Sequence, residues 1–244
     1  MKSLNNFNIG ILGGLGEVGQ AIAKFYPDPL IEDKTIKEFG EKRIHILHIC
    51  IPYSEKFVEI CQSYIAHNDP ELVFIHSTVP VGTTAQLNAH TDFRCVHTPV
   101  RGVHPNLYEG IKTFVKYVGF DFEPMGIKAK DHLEKLGLNV YLVRDSRNTE
   151  ALKLWDTTQY GKMIELNKEI HKYCEDNGLD FDIIYTHANI TYNESYLRLG
   201  RPEVTRPFLK YMPGQIGGHC VIPNCRLLDS PTAKDILRKN LDYA

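Results

Sequence analysis

Up to about residue 146 the chain alternates short apolar runs with amphipathic stretches. Asn8 to Leu12, Leu30 to Asp33, Ile44 to Pro52, Leu72 to Thr78, Phe93 to His97, Phe114 to Phe120 and Asn139 to Val143 read as strands. Ile44 to Pro52 shows little alternation, as expected for a strand covered on both faces. Gln20 to Phe25, Ser54 to Ala66, Thr83 to Asn88 and Pro124 to Leu136 read as helices, and Gly137 suits a C-cap. Strands alternating with helices predict a parallel sheet with helices on both faces. From Thr149 to about Asn177 the pattern changes. Leu152, Trp155, Gln159, Met163, Leu166, Ile170 and Tyr173 fall three and four residues apart, which predicts one long helix ended by Gly178. Shorter helical pieces follow, then a glycine-rich loop from Met212 to Cys220, then one more helix from Thr232 to Leu241. The expected fold class is α/β. A Rossmann-type parallel-sheet domain over residues 1–146 precedes a mainly helical domain over 147–244, built on the long helix.

Composition narrows the function classes. The 244 residues are 43% hydrophobic and 24% charged, with a formal net charge of −2, an ordinary globular balance. No field favours nucleic acid or an anionic membrane, and no apolar run reaches the roughly 18 residues of a membrane span. Met1 to Asn6 lead straight toward the first strand without an apolar signal region, so a cytoplasmic chain is expected. Six scattered cysteines without a C-x-x-C pair then read as free thiols. His219, Cys220 and Cys225 have no second ligand pair at zinc spacing, so no metal is expected.

The chemistry begins at Gly14-Leu15-Gly16-Glu17-Val18-Gly19, which follows a strand and opens a helix. In such a turn the first glycine permits tight reversal, the second lets a pyrophosphate approach the backbone, and the third lets helix and strand pack closely. Free N–H groups and the helix dipole attract the phosphates. Asp33 lies 19 residues after Gly14, where an acid accepts hydrogen bonds from ribose hydroxyls and repels a 2′-phosphate. The pattern predicts NAD as cofactor, with Glu32 as a rival for the role of Asp33. Only about ten residues separate Asp33 from the next strand, too few for a full crossover helix.

Further segments carry a resemblance. They are Ser77-Thr78-Val79-Pro80-Val81-Gly82-Thr83-Thr84, Glu150-Ala151-Leu152-Lys153-Leu154, and Gly217-Gly218-His219-Cys220-Val221-Ile222-Pro223. With the glycine turn, and in this order, they make the chain resemble the UDP-glucose/GDP-mannose dehydrogenase family from about residue 8 to 230. The resemblance implies oxidation of a sugar alcohol carbon, with Cys220 as nucleophile toward an aldehyde and Lys153 stabilising charge on the reacting oxygen. It places Thr78 near the nicotinamide, and Pro52 joins the cofactor side. Gly217, Gly218, His219, Asn224 and Arg101 are weaker substrate candidates. A thiolate is a strong nucleophile, and a neighbouring histidine or lysine would favour it.

Three positions depart from the family pattern. Val100 stands where the family has a glutamate, Asn224 where it has an aspartate, and Thr157 where it has an asparagine. Neither Val100 nor Asn224 can take up a proton, and general acid–base help is worth about 10²–10⁴-fold. The family also continues into a third domain, so the chain is expected to be a short member. Two alternatives stand beside the full four-electron dehydrogenase. One is a two-electron enzyme of the β-hydroxyacid type that uses Lys153 alone, and the other is an NAD-binding pseudoenzyme. The expected partners are a small-molecule substrate and a second copy docked through the 149–177 helix.

Overall fold

Most central strands are fully buried and shorter than the apolar runs that mark them, and the two edge strands are partly exposed. The structure is a computed structural model and describes residues 7–102 and 106–243. Met1 to Asn6, and Val103 to Pro105 within the expected substrate loop, lie outside the described residues. The chain divides between Lys153 and Leu154 into two compact units, and the division falls inside the long helix.

In the first unit the elements run β1 (Ile9–Leu12), α1 (Glu17–Ala23), β2 (Leu30–Glu32), β3 (Ile46–Ile49), α2 (Phe57–Asn68), β4 (Leu72–Ile75), α3 (Thr83–Asn88), β5 (Cys95–His97), α4 (Leu107–Thr113), β6 (Lys116–Phe120), α5 (Glu123–Lys135) and β7 (Val140–Arg144). The strands form one sheet in the order β2-β1-β3-β4-β5-β6-β7. β1 to β5 are parallel, as expected. β6 runs antiparallel to β5 and parallel to β7, which the alternating pattern did not predict. A short helix, α4, sits in the expected substrate loop between β5 and β6 and carries Leu107 and Ile111 into the core.

Alternate positions on the strands feed two cores. One face packs Ile9, Ile11, Ile46, Phe74, Val96 and Val118 against α1, α4 and α5. The other packs Leu12, Leu47, Ile49, Val73 and Ile75 against α2 and α3. Between β2 and β3 a helix is replaced by a tight turn. Asp33 N–H donates to Ile36 O at 2.8 Å and Glu38 N–H to Ile31 O at 3.0 Å, so the chain folds back along β2. Phe39 and Ile44 then fill the core space beneath.

On the first face a polar stripe interrupts the apolar pattern near the carboxyl edge of the sheet. Tyr26 Oη lies 2.7 Å from His132 Nε2 and 2.9 Å from His48 Nε2. His48 Nδ1 lies 2.8 Å from His76 Nε2. Lys116 Nζ, at the start of β6, donates to Thr98 O at 2.8 Å and Pro99 O at 3.0 Å and lies 3.4 Å from His76 Nδ1. All five side chains are buried.

The second unit is described from Leu154. It holds the remainder of α6 (Arg147–Asn177), an irregular helical turn at Asp182–His187, α7 (Ala188–Arg198), α8 (Val221–Cys225) and α9 (Pro231–Lys239). Gly161 is required inside α6, because a Cβ there would come within 2.6 Å of Val221. Ile216, Val221, Cys225, Ala233 and Ile236 form the small core. Ser230 caps α9 by accepting from Ala233 N–H, with Pro231 in its first turn.

Burial holds His48 and His76 well below the usual histidine range, His132 at about 4 and His97 at about 3. The unfolded chain therefore binds protons near pH 6.5 that the native chain does not. Their contribution to stability is complete above pH 6.5 and is lost as pH falls toward 3–4. Denaturant unfolding followed by circular dichroism should show that loss, at about 1.4 kcal/mol per pH unit for each histidine within its window.

Candidate functional site

In an open parallel sheet the chain leaves a crevice where successive connections diverge, here at the carboxyl ends of β1 and β3. The glycine turn occupies this place. Gly13, at φ +85°, makes the tight reversal. Gly14, assigned that task from the spacing, is instead needed for packing, since a Cβ on it would come within 2.6 Å of Ile31. A Cβ on Gly19 would fall 2.2 Å from Gly13 O, so the helix can approach the turn only through a glycine. A Cβ on Gly16 would meet nothing nearer than Gly13 O at 3.5 Å, which leaves the backbone approachable there.

The two acids at the end of β2 separate cleanly. Glu32 is buried and accepts from Tyr64 Oη at 3.1 Å and Lys37 Nζ at 2.9 Å. Asp33 reaches the glycine turn, where Oδ2 accepts from Leu15 N–H at 3.0 Å and Oδ1 from Lys34 N–H at 2.7 Å. The structure thus joins Asp33 to Leu15. Glu17 and Val18 open α1 directly after the turn, with Gly16 as N-cap and no side-chain cap. An exposable backbone at Gly16 with a carboxylate beside it fits a dinucleotide.

Beyond β3, Cys50 N–H donates to Leu12 O at 2.8 Å, which ties the start of the segment leading to Pro52 to β1. Beyond β4, Ser77 Oγ donates to Ile51 O at 2.6 Å, fixing the stretch that holds Thr78 beside the one that holds Pro52. Burial pushes the Cys50 thiol up to about 12, so it stays protonated at neutral pH.

The start of α6 locks onto these strand ends. Glu150 is buried, and its carboxylate accepts from Gly82 N–H at 2.6 Å, Thr84 N–H at 2.7 Å and Thr84 Oγ at 2.7 Å. It therefore satisfies the N-terminus of α3. Burial raises its carboxyl above the usual range and the three donors oppose that shift. His97 bridges Thr149 Oγ1 at 2.8 Å and Ser77 O at 3.2 Å. One turn after Glu150, Lys153 Nζ donates to Val100 O at 2.9 Å. The Arg101 guanidinium lies over the Phe114 and Tyr117 rings, 5.4 and 5.8 Å from their centroids.

In the second unit Cys220 is half-buried and forms the N-cap of α8. Gly217, Gly218 and His219 before it are exposed, with Gly218 at φ +81°. Lys168 steadies the approach to this loop by donating to Gly214 O at 2.6 Å and to Met212 O. Asn240 Oδ1 accepts from Ile216 N–H at 2.6 Å. Two departures from the family pattern meet here. Asn224 Nδ2 donates to Thr157 Oγ1 at 3.2 Å, with both residues buried.

Neither a protein-family model nor a curated protein sequence matches the chain. Solved structures do. A UDP-D-ManNAc dehydrogenase from Pyrococcus horikoshii superposes with a TM-score of 0.78 at 18% identity, over 97% of this chain and 69% of that one. A 3-hydroxyisobutyrate dehydrogenase from Mycobacterium tuberculosis, solved with L-serine, gives 0.71 at 15% identity over 98% and 94%. A UDP-glucose dehydrogenase from Pyrobaculum islandicum gives 0.72 at 14% identity over 97% and 68%. At such identities the likeness is one of fold, and function is argued from the site.

Glu150, His97 and Lys168 were not among the residues singled out by sequence. Glu150 stands in a quoted motif, but its task depends on α3, which is distant along the chain. In Glu150→Gln the amide turns donors toward Gly82 N–H or Thr84. Urea unfolding should show a loss of roughly 1–3 kcal/mol, the cost of one buried donor left without an acceptor.

Proposed function

We propose that the chain is an NAD-dependent dehydrogenase acting on a CH–OH group, with a nucleotide sugar as the leading substrate class. The observation that carries this reading is the glycine turn at the β1/β3 crevice with the Asp33 carboxylate joined to it. The dehydrogenases that share the fold support it.

When bound, the dinucleotide supplies the hydride acceptor. The chain's own groups do the rest. The turn backbone receives the pyrophosphate, and Asp33 accepts from the ribose hydroxyls and disfavours a 2′-phosphate. Leu15, Glu17 and Val18 lie along this path, with Pro52 and Thr78 toward the nicotinamide end. Lys153, steered by Val100 O, stabilises negative charge on the substrate oxygen. Cys220 is the nucleophile for any aldehyde that forms, with Gly217, Gly218, His219, Asn224 and Arg101 as substrate contacts.

A second reading, a two-electron oxidation that ends at the carbonyl, is favoured by one observation. The Asn224 amide is committed to Thr157, and neither it nor buried Val100 can activate a water.

Mixing the protein with NAD and a panel of UDP- and GDP-sugars and small hydroxy acids, and recording NADH absorbance, tests both readings. Lys153→Met should slow NADH formation by about 100-fold. Two NADH per substrate, falling to one in Cys220→Ser, supports the four-electron course. One NADH, kept in Cys220→Ser, supports the second reading. NAD binding without turnover on any substrate leaves a dinucleotide-binding protein.

We also assign a homodimer interface to α6, where Trp155, Tyr160, Leu166 and Tyr173 are exposed. Trp155, Leu166 and Tyr173 fall on one side of the helix, which is more apolar than a solvated face needs. Light scattering at micromolar concentration should return twice the mass of the chain, and a Trp155→Glu/Leu166→Glu double variant should return it once.

A further inference from the structure

The polar stripe under the carboxyl edge contains five titratable groups that the proposed chemistry does not use. They form a continuous line: His132, Tyr26, His48, His76 and Lys116, with successive contacts of 2.7, 2.9, 2.8 and 3.4 Å. Among the described residues no carboxylate pairs with Lys116. Its acceptors are Thr98 O, Pro99 O and the His76 ring. The titratable groups that bear on it are Cys50 beyond β3, His48 on β3, His76 beyond β4, His97 on β5 and Lys153 on α6. At the other end, Lys128 and Lys135 flank His132 on its own helix.

Hydrogen counting allows two arrangements of this line. In the first, Lys116 is an ammonium and gives its third N–H to His76 Nδ1. His76 Nε2–H then donates to His48 Nδ1, His48 Nε2–H to Tyr26 Oη, and Tyr26 O–H to His132 Nε2, leaving the proton of His132 on Nδ1. In the second, every donor is reversed. His132 Nε2–H donates to Tyr26 Oη, Tyr26 O–H to His48 Nε2, and His48 Nδ1–H to His76 Nε2. His76 Nδ1–H turns to Thr98 O at 3.1 Å, and Lys116 is a neutral amine that still reaches both carbonyls. The three contacts from His132 to His76 stay hydrogen bonds in both arrangements, and the Nδ1–H of His76 faces both Thr98 O and Lys116 Nζ, so it can swing from one to the other.

We propose that this line is a proton relay that charges and discharges the buried Lys116, making Lys116 a positioning residue for Lys153. Charging adds one proton at His132 Nδ1. One proton then moves across each link, and the last passes from His76 Nδ1 to Lys116 Nζ. Every intermediate group gains one proton and loses one, and no electrons move. Discharging is the same path in reverse, so the relay resets itself. Burial brings Lys116 down to about 7, which puts the exchange in the neutral range. Lys116 also holds the Thr98 and Pro99 carbonyls just before Val100, whose own carbonyl anchors Lys153. When charged, it opposes a second positive charge at Lys153. The relay stands on its own geometry, whereas its effect on Lys153 in catalysis rests on the dehydrogenase reading.

Nitrogen-15 NMR of protein labelled at lysine and histidine, titrated from pH 5.5 to 9 without NAD or substrate, tests the relay. Lys116 Nζ should titrate near neutrality, and the ring nitrogens of His48 and His76 should exchange tautomers with the same midpoint. Tyr26→Phe keeps the ring but cuts the line, and should slow that exchange at least tenfold. Lys116→Met is the second variant, in which both histidines should hold one tautomer throughout. Tautomers that stay fixed in the wild type while Lys116 titrates would overturn the proposal. So would a Lys116 that remains charged at pH 9, or unchanged exchange in a folded Tyr26→Phe. Competitive acetylation of Lys153, read by mass spectrometry, tests the coupling. Its reactivity at pH 6, where Lys116 is charged, should fall at least threefold in Lys116→Met, and an unchanged rate would remove the positioning role. None of these readouts needs turnover, so absence of NADH formation would count against the dehydrogenase reading and leave the relay standing.

Discussion

Where parallel strands end, their last peptide groups lose the ladder that satisfied them, yet they remain in a water-poor environment. An unpaired group there costs on the order of 1–3 kcal/mol, so each needs a partner from elsewhere in the chain. Here the partners are side chains. Ser77 reaches Ile51 O, Lys116 reaches Thr98 O and Pro99 O, Lys153 reaches Val100 O, and Glu150 receives Gly82 and Thr84. These bonds set the loop geometry at the carboxyl edge, and the candidate site consists largely of those loops.

That dependence explains what the sequence made legible. The glycine turn, Asp33, the core strands and the long helix all announce themselves through local spacing, although the tight reversal falls one residue earlier than the spacing put it, at Gly13. The antiparallel β6 escapes such reading because direction is set by how the chain returns after α4, and α4 carries only two core residues. The buried histidines escape for a different reason. His48 and His76 sit at inward positions of otherwise apolar runs, so periodicity marks their face and says nothing of the hydrogen-bond partner that makes burial tolerable. Glu32 stands beside Asp33 as its rival in sequence, and Tyr64 and Lys37 around the first, with Leu15 N–H at the second, decide between them.

Departures from a family pattern also read differently in three dimensions. Asn224 and Thr157, taken singly, look like two lost polar functions. In the structure they are joined by one hydrogen bond, from a neutral amide to a hydroxyl. The lysines show a similar economy. Lys116 and Lys168 both point their ammonium at main-chain oxygens, and each steadies a stretch of backbone just ahead of a residue with candidate chemistry.

The turn after β2 has a consequence beyond cofactor geometry. β2 is the last strand on its side of the sheet, and an open strand edge is a template for pairing with foreign chains. By folding back over Asp33 to Ile36, the chain places its own Lys37 and Glu38 along that edge. A segment too short to build a crossover helix thus acts as a guard against strand addition. Lengthening it to restore a helix would remove that guard and expose the edge to fibrillar association.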